Sequence, residues 1–184
     1  MNLGIVYKPN SNPIKKYVDA DWGSSPNDRR SYTGCAFILN GGLISWDAKK
    51  QRTVALPSTE AEYMGMTEVS KEATSLRKFM DELSLKNIGN ITICNDNLSA
   101  QRLAANPTFH RRSKHIDIRY HFILDALDQH LLKIEYIPTT DIVADILTKA
   151  LPKVKHKKCV ETFGLKKPQS LPDRPYIERK CSDI

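Results

Sequence analysis

Hydrophobic positions near the start of the chain fall in short runs bounded by turn-forming residues, whereas later ones recur at intervals of three and four. Leu3 to Tyr7 and Ile14 to Ala20 are two such runs, separated by Pro9-Asn10-Ser11-Asn12-Pro13, and they predict strands. Thr33 to Leu39 and Leu43 to Trp46 flank Asn40-Gly41-Gly42, where asparagine and glycine tolerate the positive φ of a tight turn, so a hairpin is predicted. Met66, Val69, Ala73, Leu76, Met80 and Leu83 form the stripe of one long amphipathic helix that starts at Pro57-Ser58-Thr59. Beyond it, Ile91 to Cys94 reads as a short buried strand and Ser99 to Ala105 as a short helix ended by Asn106-Pro107. Ile116, Tyr120, Ile123, Leu127 and Leu131 make a second helical stripe, Leu132 to Ile137 a strand, and Asp141 to Leu151 a last helix stopped by Pro152. This order predicts an α/β fold with a mixed sheet, a hairpin first and helical crossovers after it.

Composition narrows the class. The 184 residues are 40% hydrophobic and 27% charged, the balance of a globular chain, and long enough for one domain with its own core. No apolar run approaches the ~20 residues of a membrane-spanning helix, and no basic segment leads into an apolar block at the start. Neither a membrane partner nor a secretory leader is expected. Cys35, Cys94, Cys159 and Cys181 form no C-x-x-C pair, which speaks against zinc and for free thiols in a reducing compartment, the cytoplasm with access to the nucleus.

The net charge of +7 is unevenly spread. Residues 1–150 carry 19 Lys and Arg against 17 Asp and Glu, and residues 151–184 carry 9 against 4. The expected division is a domain over 1–151 and a basic helix and tail over 152–184. Val154, Cys159, Val160 and Phe163 suggest a short amphipathic helix stopped by Gly164, with Lys153, Lys155, Lys157, Lys158, Lys166 and Lys167 on or beside it. Its apolar face is expected to dock on the domain and its lysines to attract a polyanion, although solvated basic tails are equally ordinary.

Four carboxylates stand where surface acids do not belong. One step of four back from Met66 along the long helix lies Glu62, a costly place for an acid unless it is paired, metal-bound or neutral. The competing explanation is a capping box in Thr59-Glu60-Ala61-Glu62, with Glu62 reaching back to the backbone of Thr59. Asp19 and Asp96 each terminate a short apolar strand; each alone is an ordinary turn former, but on parallel neighbours they would lie side by side where open sheets bind ligands. Asp145 falls in the first turns of the last helix, where the helix dipole alone would favour it. Together the four suit hard cations such as Mg²⁺, and two metals ~4 Å apart activate a water and stabilise the leaving oxygen of a phosphodiester.

Around these acids the sequence resembles a known family, the ribonuclease H domain of copia-type LTR retrotransposon Pol polyproteins. The matching stretches are Tyr17-Val18-Asp19-Ala20-Asp21-Trp22, Asp28 to Gly34, Ile44-Ser45-Trp46 with Lys49-Lys50-Gln51, and Thr53 to Leu56. Ser58-Thr59-Glu60-Ala61-Glu62-Tyr63, Asp96-Asn97-x-Ser99-Ala100, Asn106-Pro107-x-x-His110-x-Arg112-x-Lys114-His115-Ile116-Asp117 and Ala144 to Leu151 complete the set, which spans roughly residues 3 to 165. The resemblance implies a ribonuclease H-like fold, a five-stranded mixed sheet flanked by helices. It also implies cleavage of the RNA strand of RNA–DNA hybrids with two Mg²⁺ ions, for which Mn²⁺ would substitute. Carried over, the catalytic and metal-binding acids are Asp19, Glu62, Asp96 and Asp145; Asp21 is assigned to the other sheet face and left out. The reverse transcriptase of the same polyprotein is the implied partner, and the chain, which carries neither it nor an integrase, looks like a fragment or remnant.

Two departures are visible. Pro57 stands where the family more often has a small polar residue, and Pro138-Thr139-Thr140-Asp141 lacks the histidine that cellular ribonucleases H carry before the last acid, so product release must use another group. For substrate, Arg112, Lys114 and His115 lie in a basic loop suited to phosphates, or in a solvated helix start capped by Ser113. Asn97 and Ser99 are placed to reach the sugar hydroxyl that distinguishes RNA. Trp22 and Trp46 read as core rather than as stacking platforms for substrate. The alternative function is a catalytically silent nucleic-acid-binding module left by a decayed element.

Overall fold

In the computed structural model, which describes residues 3–8, 13–84, 89–105 and 114–167, the early apolar runs form β1 (Gly4–Ile5), β2 (Lys15–Asp21), β3 (Tyr32–Leu39) and β4 (Gly42–Lys50). Asn40 and Gly41 turn the β3–β4 hairpin at φ of 54° and 71°, the pair of positive values a type I′ turn requires. The long stripe lies on α1 (Ser58–Glu82), followed by β5 (Ile91–Asn95), α2 (Leu98–Ala105), α3 (Lys114–Asp128), β6 (Leu132–Tyr136), α4 (Lys153–Thr162) and β7 (Leu165–Lys166). Five strands make one mixed sheet in the order β4-β3-β2-β5-β6, antiparallel across β4-β3-β2 and parallel across β2-β5-β6. This is the sheet expected from the sequence.

Period-two alternation divides the sheet between two cores. Val18 of β2 and Cys35 and Phe37 of β3 join Tyr63, Met66 and Val69 of α1, and Ile91, Ile93, Ile123 and Leu132 extend this main core. The intervening residues Ala36 and Ile38 pack instead with Leu43, Val143, Cys159 and Phe163. Side chains as large as Phe37 and Tyr63, almost wholly buried, each contribute roughly 2–3 kcal/mol of apolar transfer. Cys35, Cys94 and Cys159 are buried free thiols, and burial pushes the first two up to about 11. Among the described residues no helix is long and apolar enough to cross a membrane.

Several expectations are corrected. The segment Asp141 to Leu151 is not one α-helix: it comprises a 3-10 turn ending at Asp141 and a second over Val143–Leu147, divided by Ile142 with extended backbone at φ −69° and ψ 105°. The second turn lies against Gly34 of β3, where an added Cβ would come within 2.8 Å of Thr148 Cγ2 and 2.9 Å of Leu147 Cβ. The early strand β1 does not join the main sheet; it pairs antiparallel with β7, Gly4 opposite Lys166 and Ile5 opposite Leu165. The tail helix α4 forms, but Cys159 and the following Phe163 carry its burial while Val154 is 84% exposed. Trp22 and Trp46 are not core: both are more than half exposed.

Lys16, by contrast, is fully buried. Its ammonium donates to Val69 O and Glu72 Oε2, both at 3.2 Å, and lies 3.3 Å from the Phe37 ring centroid. Burial lowers its pKa to about 8 against the pull of Cys35 and Glu72.

Candidate active site

Parallel pairing of β2 with β5 sets Tyr17 opposite Cys94, so two residues further along come two carboxylates, Asp19 near the end of β2 and Asp96 just past the end of β5. Glu62, in the second turn of α1, approaches the same edge. One carboxylate oxygen from each of Asp19, Glu62 and Asp96 lies within 4.8 Å of the others. Asp19 and Glu62 are buried and Asp96 half-buried. Packing two strand ends and one helix start together thus concentrates negative charge in a poorly hydrated place, the arrangement that suits a hard divalent cation.

Glu62 is not a capping residue. Pro57 is the N-cap and makes no side-chain cap, and Glu60 accepts a hydrogen bond from the Leu56 backbone N–H at 2.9 Å. Glu62 Oε2 instead accepts from Asn95 Nδ2 at 3.0 Å. Asn95 is completely buried, and its Oδ1 accepts the Asn97 backbone N–H at 2.9 Å, so it ties Glu62 to the end of β5. Sequence reasoning missed Asn95, although an amide at the end of an otherwise apolar strand and beside a predicted ligand was a usable signal.

The three acids crowd one another. Burial first, then the charges of Asp19 and Asp96, push Glu62 up to about 8, despite hydrogen bonds from Asn95 and the Ala20 backbone. Burial pushes Asp19 up to about 6, against the Thr148 hydroxyl, which donates to its Oδ2, and Lys149, whose Nζ lies 3.5 Å away. Asp96 Oδ2 accepts from Thr139 Oγ1 at 2.6 Å, within the loop that lacks the histidine.

Asp145 is not among the three clustered acids. It is fully buried and paired with Lys155 of α4 and with Lys149, whose Nζ is 3.1 Å from Oδ1 and also reaches Asp19, and it lies close enough to Asp19 to push that carboxyl's pKa further up. Burial works against the Lys149 charge, but the two aspartates more than offset it and hold its pKa above the usual lysine value. Lys158 is likewise tied to Asp141 and to Thr140 O. Two lysines expected to face a polyanion therefore clamp the turns that carry Asp145.

The acids open into a cleft of about 540 Å³ lined also by Asp21, Trp22, Asn97, Leu98, Ser99, Tyr136 and Lys149. Asp21 is thus not turned to the other face; residues two apart on a strand share one, and Asp21 sits beside the cluster. Asn97 Oδ1 accepts the Ala100 N–H at 2.9 Å and caps α2, while Ser99 is exposed in the cleft. Arg112 and the side chains of Lys114 and His115 lie outside the described residues.

Among known proteins, the retrovirus-related Pol polyprotein from transposon TNT 1-94 of Nicotiana tabacum is 44% identical to the chain over 156 residues, 84% of the chain's length. That from transposon RE1 of Arabidopsis thaliana is 36% identical over 165 residues, 89% of the chain's length. The matches span 12% and 11% of those relatives. No protein-family model matches. Among solved structures, LC11-RNase H1, isolated from compost by a metagenomic approach, superposes with TM-score 0.55 at 16% identity, covering 74% of this chain and 93% of its own. In complex with an RNA/DNA hybrid the same enzyme superposes with TM-score 0.53 at 14% identity, covering 73% and 93%. By sequence the chain is a homologue of one segment of the retrovirus-related Pol polyproteins of plant transposons, and its fold is that of ribonuclease H.

Proposed function

We propose that this chain is a copia-type retrotransposon ribonuclease H, a metal-dependent endonuclease that cuts the RNA strand of RNA–DNA hybrids. The observation that carries the reading is the convergence of Asp19, Glu62 and Asp96 within 4.8 Å near the carboxyl ends of β2 and β5. The donor set fits a divalent cation: it is all carboxylate, and the raised pKa values of Glu62 and Asp19, due first to burial and then to neighbouring acids, reflect a cost that such a cation would offset. Mg²⁺, or Mn²⁺ in its place, supplies a Lewis acid and a water of lowered pKa when bound. Asp145, paired with Lys149 and Lys155 beside Asp19 and outside the three clustered acids, is the fourth acid of this reading.

The other side chains hold this set in place. Asn95 orients Glu62, Thr139 orients Asp96, and Thr148 with Lys149 orients Asp19. Ser99 and Asn97 line the cleft where a ribose 2′-hydroxyl would lie, and Arg112, Lys114 and His115 would hold phosphates. The hybrid bound by a structural neighbour and the polyprotein setting of the homologues support the hybrid as substrate and a reverse transcriptase as partner.

The test is incubation of the purified chain with labelled hybrid, RNA duplex and DNA duplex across Mg²⁺ and Mn²⁺ concentrations. Cutting confined to the hybrid's RNA strand is expected. Binding without cutting at every metal concentration would leave the silent nucleic-acid-binding module instead.

A further inference from the structure

Trp22 stands directly after β2, one residue beyond Asp21, and its side chain lines the acidic cleft. An indole is costly to leave in water, yet this one is 52% exposed. Its orientation is nevertheless fixed, because Nε1–H donates to Ala55 O at 3.1 Å and ties the ring to the segment leading into α1. Tyr136 ends β6 in register with Asn95, is 45% exposed, and lines the same cleft. Since the sheet order is β2-β5-β6, Trp22 and Tyr136 stand on either side of the end of β5, where Asp96 lies, at the ends of strands about two spacings or ~10 Å apart. An anchored, half-exposed indole beside clustered carboxylates suits a face of ligand that is itself flat and apolar.

We propose that Trp22 is a substrate-positioning residue whose indole packs against a nucleotide of the hybrid adjoining the acidic cluster. This rests on the ribonuclease H reading of the same site. In an A-like hybrid the bases stay stacked, and the wide, shallow minor groove presents sugars and base edges; the ring meets that surface rather than intercalating. The neighbouring acids repel phosphates, so an apolar contact gives the backbone a fixed seat that charge alone would not. Aromatic contacts to nucleotides are worth roughly a tenfold or greater change in affinity on truncation.

The chain has two tryptophans, so Trp46→Phe leaves Trp22 as the sole indole emitter. Titrating that variant with hybrid should quench and shift its emission in step with the rise in anisotropy of a fluorescein-labelled hybrid. Trp22→Ala in the otherwise native chain should raise KM roughly tenfold with kcat within about twofold, and Trp22→Phe, which keeps a ring, should restore most of the loss. A rise in anisotropy with unchanged Trp22 emission, or a Trp22→Ala variant with native KM, would overturn the positioning role and leave the ribonuclease reading intact. No rise in anisotropy at any hybrid concentration would overturn that reading and the positioning role together.

Discussion

Glu62 is where fold and charge oppose each other most strongly. In the folded chain its pKa is about 8 against an ordinary 4.5, so between those values the folded state keeps a proton that the unfolded chain releases. The metal-free fold must therefore lose stability as pH rises through that window, and Asp19 adds the same sign between 3.8 and about 6. The unfolding free energy from urea titration is expected to fall between about pH 5 and about pH 8, by a few kcal/mol at most, and to be far flatter in Glu62→Gln. Gln keeps an acceptor for Asn95, so that variant should be as stable as native or more so near pH 8 while cleavage falls by more than roughly a hundredfold. Native turnover in Glu62→Gln would remove Glu62 from the metal site. Lys16 was legible too, although not read: Lys16, Val18 and Ala20 share one face of β2 with Ile14 just before it, so a lysine stood on the core line. Glu72 remains partly hydrated, so Lys16→Met should leave stability unchanged or raise it by about 1 kcal/mol in urea unfolding, and a loss of several would show that the pair anchors α1.

At the scale of elements, the strands and the long helix were legible because their hydrophobic period is strong, and Glu62 because it breaks that period. The segment carrying Asp145 was not. Its apolar positions fit a helix, but its path is set by residues distant in sequence: Thr148 bound to Asp19, and Ala144, Leu147 and Thr148 lying on Gly34. Gly34 pairs with Asp19 across β2 and β3, so its missing side chain is what lets the Asp145 turn lie over the acids. Gly34→Ala should cost about 1–3 kcal/mol in thermal unfolding, since the Cβ would lie 3.0 Å from the Ala144 carbonyl as well as too close to two side chains. Cleavage measured well below the melting range should drop further than that destabilisation explains; unaltered cleavage would mean that Asp145 does not need its present seat. The pairing of β1 with β7 escaped sequence reading for a similar reason, since two-residue strands have no period to detect.

For the whole molecule, the tail's basic charge was legible but its use was not. Lys155 and Lys158 hold the 3-10 turns, while Lys153, Lys157, Lys166 and Lys167 are exposed. Because Phe163 and Cys159 belong to the second core and β7 pairs with β1, removing residues after Leu151 should unfold the chain rather than merely weaken binding. Replacing the four exposed lysines with glutamine should spare the fold and flatten the salt dependence of hybrid binding, by roughly 0.9 in slope for each phosphate that a lysine no longer neutralises. An unaltered slope would mark them as solvated charges.

The site as a whole is tested most directly by the cleavage rate of a hybrid with end-labelled RNA against Mg²⁺ concentration, for the native chain and for Asp19→Asn side by side. The native chain should cut only the RNA strand, stop when the metal is chelated and resume when it is restored, while Asp19→Asn binds the hybrid and leaves it whole. Equal cutting by Asp19→Asn, or an intact hybrid bound to the native chain throughout the titration, would contradict a catalytic metal centre at Asp19, Glu62 and Asp96.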